Sequence, residues 1–128
     1  MKKQLNQVLE FHKKFEIPYR TSFNEEGLNV ELRKTLLEEE LKEWYDSAVH
    51  KEGIENRAKE LADNLYIIYG TIITEGLQDV IEQVFDEVHI SNMSKLGDDG
   101  KPVRREDGKV IKGKNYKAPD LKWLKIIK

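Results

Sequence analysis

Residues 54–75, set between Gly53 and Gly76, restrict the fold of this chain more than any other stretch. Ile54, Ala58, Leu61, Leu65, Ile68 and Ile72 recur at the helical period, and Ala62, Tyr69 and Ile73 widen that stripe. Beyond residue 64 the stretch is apolar nearly all round, which predicts a buried helix. Glu60 and Asp63 ride on it, three residues apart and so on nearly one face. Carboxylates on a helix of this kind need partners, because a charge withdrawn from water is otherwise strongly disfavoured.

The preceding stretch offers further carboxylates rather than cations. Asn29 is a good N-cap for a helix running to about Lys51, with Val30, Leu37, Leu41, Trp44 and Ala48 as its apolar stripe. Glu40 and Glu43 are again one turn apart, and at about 100° per residue Glu40 lies about 60° from Leu37, at the border of that stripe. The two helices are joined by a short turn at Gly53, which predicts antiparallel neighbours. Four carboxylates then converge, and they repel one another unless a cation sits among them. The donors are oxygens, the chain has no cysteine, and no histidine is spaced with the acids. That favours Mg²⁺, with Mn²⁺ as a substitute, over zinc, held by Glu40, Glu43, Glu60 and Asp63. A magnesium site built on side chains leaves positions for water and substrate phosphates, so the chemistry expected is metal-assisted attack of water on a phosphoryl group.

Elsewhere the chain reads as further helices and a different tail. Leu5, Val8, Leu9, Phe11 and Phe15 predict a helix over 2–16, stopped by Ile17-Pro18. Residues 18–28 form a connection, and a fourth helix is expected from about Leu77 to Lys95. Past Leu96 the texture changes: Asp107-Gly108, between short runs containing Val103, Val110 and Ile111, signals a β-hairpin. Residues 113–120 read as extended loop, and 121–127 as a short apolar and basic end containing Trp123 and Leu124.

At 128 residues the chain is expected to be one domain, with 1–96 as helical body and 97–128 as hairpin and C-terminal extension. A hydrophobic fraction of 38% against 36% charged residues suits a thin bundle that completes its core by oligomerising, as a homodimer or homotetramer. No apolar run approaches the roughly 20 residues that cross a membrane, and the start lacks a signal-peptide block. A cytoplasmic protein without membrane partners is expected. The charge is unevenly spread: residues 1–93 carry 11 Lys and Arg against 19 Asp and Glu, net −8, and residues 94–128 carry 11 against 5, net +6.

Phosphate chemistry also requires cations from the protein. Asn92 and Lys95 share a face at the end of the fourth helix, and Lys109 and Lys112 stand on the expected hairpin. His12, with Phe11 and Phe15, offers contacts to a nucleobase. Each has a plainer reading: a helix-end lysine meets the helix dipole, surface lysines are common, and a histidine on a helix is more often a packing residue.

These residues resemble a known family. Glu39-Glu40-x-x-Glu43 followed by Glu60-x-x-Asp63 is similar to the signature of the MazG-like all-α nucleoside triphosphate pyrophosphohydrolases. The segment from His89-Ile-Ser-Asn-Met-Ser-Lys-Leu-Gly97 through Arg105-Glu-Asp-Gly-Lys-Val-Ile-Lys-Gly113 to Pro119-Asp-Leu121 resembles a phage and bacterial subgroup. The resemblance implies an all-α bundle of four to five helices with a small hairpin tail. It implies Mg²⁺-dependent hydrolysis of (deoxy)nucleoside triphosphates between the α and β phosphates, and a house-cleaning role. It places Mg²⁺ on Glu40, Glu43, Glu60 and Asp63, brings Glu39 into the ligand or water network, and puts phosphates against Asn92 and Lys95. Two other readings stand beside it. One is a related hydrolase acting on phosphoribosyl-ATP or dUTP. The other is a non-enzymatic module whose basic tail, with Tyr116 and Trp123, binds nucleic acid; no nucleic-acid partner is expected on the enzyme reading.

Overall fold

The structure, a computed structural model, describes residues 1–126. Four α-helices, α1 (Lys2–Lys14), α2 (Val30–Val49), α3 (Ile54–Glu75) and α4 (Ile81–Met93), precede a short 3-10 helix over Lys122–Ile126. No β-strand forms among the described residues. The chain falls into two compact units, Met1–Asp79 and Val80–Lys128, so α4 groups with the tail rather than with α1 to α3.

In the first unit, local chemistry sets the helix ends. Asn29 Oδ1 accepts from Leu32 N at 3.1 Å, capping α2 as its sequence predicts. Gly76 ends α3 in the left-handed conformation, φ 78°. A Cβ there would lie 2.2 Å from the Ser22 carbonyl oxygen, so the glycine is required twice over, for conformation and for space. The connection after α1 is tied to this end of α3. Arg20 N donates to Ile73 O, Arg20 Nη1 donates to Thr74 O, and Gln78 Nε2 donates to Arg20 O. Leu5, Val8 and Ile73 form the fully buried apolar centre, with His12, Ser47 and Thr74 buried as polar members. Each polar member is satisfied: His12 Nδ1–H faces Pro18 O at 3.2 Å, Ser47 Oγ donates to Trp44 O, and Thr74 Oγ1 donates to Gly70 O.

α3 packs against both α1 and α2, but not on the face that its strongest apolar stripe predicts. Ile54, Leu61, Leu65 and Ile68 are exposed, Ile54 by 85%. The inward face instead carries Glu60, Ile67, Gly70, Ile73 and Thr74. On α2, Val30 and Leu41 are likewise exposed, and Leu36, Leu37 and Trp44 are half-buried. The inward faces are chosen by hydrogen bonding and close approach. At Gly70 a Cβ would come within 2.7 Å of Arg33 Nη2 and 3.0 Å of His12 Nε2, so a larger residue here would displace the arginine fork or crowd the imidazole.

In the second unit α4 begins at Ile81, later than its apolar pattern predicts, and the chain after it folds back on the end of α4. Ser91 is buried and its Oγ donates to Lys117 O at 2.7 Å, while Lys117 N donates to Ser94 Oγ at 2.9 Å. The expected hairpin is replaced by two isolated antiparallel bridges, Leu96 with Pro102 and Arg104 with Val110. Its turn is present: Gly108 N donates to Arg105 O and Arg105 N to Lys109 O. The arms do not extend into strands, because Pro102 has no N–H to donate and the Lys- and Arg-rich flanks supply little apolar surface for a ladder.

Candidate metal centre

Glu40 and Glu43 on α2 meet Glu60 and Asp63 on α3. One carboxylate oxygen from each lies within 4.8 Å of the other three. Two features of the helices produce this. Each pair is one turn apart on its own helix, and the short link from residue 50 to 53 makes α2 and α3 antiparallel neighbours at this height. Glu60 is 6% exposed, Glu40 and Asp63 are half-buried, and Glu43 is open to solvent.

The cluster is short of positive charge. Lys59 Nζ lies 3.1 Å from Asp63 Oδ2 and 3.3 Å from Glu60 Oε1, from a side chain that is 63% exposed. Those acids hold the lysine above its ordinary pKa, Asp63 first and Glu60 second. Glu40 is held above the ordinary glutamate range by burial first and then by Glu43 and Asp63, with a shared hydrogen bond to Glu43 adding to it. Glu40 Oε2 and Glu60 Oε2 are buried and no protein group donates to them. Orphaned, buried carboxylate oxygens beside two more carboxylates fit a hard divalent cation, which prefers oxygen donors.

The remaining residues singled out from sequence are spread over both units. Glu39 is exposed on α2 and is not one of the four clustered acids. His12 is 3% exposed. Phe15 is 66% exposed, stacked on Phe11 with ring centroids 4.4 Å apart, and Phe11 meets Tyr66 of α3 edge-on at 5.5 Å. Asn92, Lys95, Lys109 and Lys112 lie in the second unit. Lys95 is half-buried there, the other three are exposed, and Lys112 Nζ sits 4.6 Å from the Tyr116 ring centroid. Sequence reasoning passed over Lys59, although its spacing of four from Asp63 marks an ion pair on a helix. It also gave no role to Arg33 and Asn64, whose partners lie on the neighbouring helix.

A protein-family model for phosphoribosyl-ATP pyrophosphohydrolase matches residues 3–92, which spans α2, α3 and all but one residue of each of α1 and α4. The chain belongs to the phosphoribosyl-ATP pyrophosphohydrolase family. That family is part of the MazG-like all-α superfamily that the acidic pairs resemble. Its members are pyrophosphohydrolases, hydrolases of phosphoric anhydrides acting on nucleotide-like substrates. All four clustered acids fall inside the matched segment. No curated protein matches the chain. No helix among the described residues is long and apolar enough to cross a membrane.

Proposed function

We propose that this protein hydrolyses (deoxy)nucleoside triphosphates at the α–β phosphate bond, releasing a nucleoside monophosphate and pyrophosphate, with Mg²⁺ held by Glu40, Glu43, Glu60 and Asp63. The observation that carries the reading is the convergence of those carboxylates within 4.8 Å with two buried oxygens left unpartnered. When bound, the cation neutralises charge on the phosphate oxygens and makes a nearby water more acidic. The chain does the rest. Burial of Glu60 keeps the site partly dry, which strengthens its electrostatics. Glu40, whose burial and neighbouring acids strengthen its hold on a proton, would have to be deprotonated to serve as a ligand. Glu39, exposed beside the cluster, is given the role of ordering water.

On the same reading Asn92, Lys95, Lys109 and Lys112 contact phosphates. The exposed face of Phe15 meets the base, with His12 buried behind Phe11. The exposed apolar residues of α2 and α3, among them Leu41, Ile54, Leu61, Leu65 and Ile68, are covered by a second copy of the chain in a homodimer or homotetramer. The physiological role is removal of surplus or non-standard nucleotides.

The family match favours a second substrate, phosphoribosyl-ATP, in which the same bond would break. Pyrophosphate release from a panel of NTPs, dNTPs and phosphoribosyl-ATP, first with Mg²⁺ and then with EDTA, tests both. Release from one or more triphosphates that stops with EDTA supports the proposal, release from phosphoribosyl-ATP alone moves the assignment to the second substrate, and release unaffected by EDTA overturns the metal.

A further inference from the structure

Asn64 directly follows a clustered acid, yet it uses its amide on backbone. Its Nδ2 donates to Glu40 O on α2 at 2.9 Å and to Glu60 O one turn back on α3 at 2.7 Å. Both carbonyls belong to residues whose carboxylates stand in the cluster, one on each helix. Further along the same interface the direction reverses. Arg33 of α2 sends Nη2 to Ile67 O at 3.0 Å and Nε to Thr71 Oγ1 at 3.1 Å on α3. Thr71 Oγ1 in turn donates to Ile67 O, which orients it to accept from the arginine.

The two clamps share one register. Seven residues separate Arg33 from Glu40 on α2, and seven separate Asn64 from Thr71 on α3. At 1.5 Å rise per residue they grip the helix pair at points about 10.5 Å apart. Two grips, one from each helix, resist both sliding and tilting, whereas interlocking apolar side chains alone tolerate considerable scatter in helix packing. The arginine is half-buried and forms no ion pair with a carboxylate among the described residues. Its position is thus explained by the two contacts on α3 and by the space that Gly70 leaves for it.

We infer that Asn64, with Arg33 as its counterpart, is a positioning residue for the metal centre. It fixes the height of Glu40 against Glu60, so that four mutually repelling carboxylates are presented in the geometry a cation needs before the cation arrives. The inference rests on the divalent-cation reading above. Metal coordination tolerates deviations of only about 0.2 Å in ligand distance, so a slip of the helix pair that hardly changes its stability is enough to weaken binding. Glu40 O and Glu60 O are helical carbonyls, so removing the amide does not strand a buried acceptor, and its loss is expected to be mild for the fold.

The test is Mn²⁺ binding without nucleotide, by isothermal titration calorimetry, on the wild-type chain, Asn64→Leu and Asn64→Gln, with melting temperatures in EDTA. The expected result is that Asn64→Leu weakens Mn²⁺ binding about 10–100-fold, the range typical of groups that orient metal ligands. Its melting temperature in EDTA should stay within a few degrees of wild type, and Asn64→Gln, which keeps the amide on a longer arm, should fall between. An unchanged Kd with a lowered melting temperature makes Asn64 a stability residue only and overturns the inference. If Asn64→Leu does not fold, Arg33→Lys, which keeps the charge and loses the fork, carries the same test with the same two outcomes. A wild-type chain that binds no Mn²⁺, or binds it no better than Glu40→Gln, overturns the metal reading itself, a result distinct from failure of the positioning role.

Discussion

Lys59 places its Nζ 3.1 Å from Asp63 Oδ2, one helical turn along α3, and the same ammonium lies 3.3 Å from Oε1 of Glu60 beside it. One mostly exposed cation thus serves two of four clustered carboxylates. It reduces repulsion when the site holds no metal, and it competes with a metal for the same oxygens. Lys59→Met should therefore lower the melting temperature in EDTA only slightly, since exposed ion pairs contribute about 0–1 kcal/mol. It should tighten Mn²⁺ binding severalfold in calorimetry. Weaker binding in the variant would instead make Lys59 a supporting member of the loaded site.

Removing one ligand charge should separate folding from turnover. Glu40→Gln and Asp63→Asn are expected to abolish pyrophosphate release while leaving the far-ultraviolet circular dichroism helical. Each also relieves repulsion in the metal-free cluster, so melting in EDTA should be unchanged or higher. Full activity in either variant would remove that residue from the metal set.

Two titratable groups, the half-buried Glu40 and the buried His12, give the metal-free protein opposing responses to pH. Glu40 is held above its ordinary value, chiefly by burial, so the folded state binds the proton more tightly than the unfolded state. Its contribution is fully present below about pH 4.3, the unfolded glutamate value, and is lost as pH rises through the raised folded value. His12 is lowered, first by burial, with Arg33 adding to it against the Pro18 hydrogen bond. Its contribution is present above about pH 6.5 and is lost as pH falls through the depressed folded value. In EDTA, Glu40→Gln should flatten the loss of melting temperature on the alkaline side. A metal-loaded wild type should lose that dependence too, because the cation replaces the proton. An unaltered profile in the variant would show that Glu40 is not the group responsible.

Gly76→Ala should be among the most destabilising small substitutions in the first unit. Alanine at φ 78° is strained, and its Cβ meets the Ser22 carbonyl oxygen at 2.2 Å. Strain of this kind amounts to roughly 1–3 kcal/mol before the clash is counted. Chemical denaturation should show a clear drop in the midpoint. Gly27→Ala, at a similar φ of 71° but with only an ordinary 3.8 Å contact from its Cβ to Arg20 Nη2, should lose less. Equal losses would mean that the contact with Ser22 is unimportant.

Local chemistry was readable directly from the residues. Asn29 caps α2 and Gly76 closes α3 because capping and left-handed closure depend on groups within a few positions of each other. The pairing of Glu40 with Glu43 and of Glu60 with Asp63 follows from the helical repeat, and the short link after α2 brings the pairs together. The β-hairpin was overread: its Asp-Gly turn forms as the local signal requires, but a ladder needs longer arms and a surface to bury, which the charged flanks do not supply.

Which face of α3 turns inward was decided only by the tertiary structure. An apolar stripe states that a face prefers to leave water, not which partner covers it, and within this chain Leu61, Leu65 and Ile68 remain exposed while Glu60 is buried. The buried face is instead selected by long-range complementarity. Gly70 makes room for Arg33 and His12, and Asn64 reaches a carbonyl on α2. Periodicity on one helix carries no information about the carbonyls and side chains of its neighbour. The sequence alone therefore determined that four helices form, where α2 is capped and α3 closes, and which acids they carry, and the packing of α2 on α3 decided that those acids meet with too few cations to balance them.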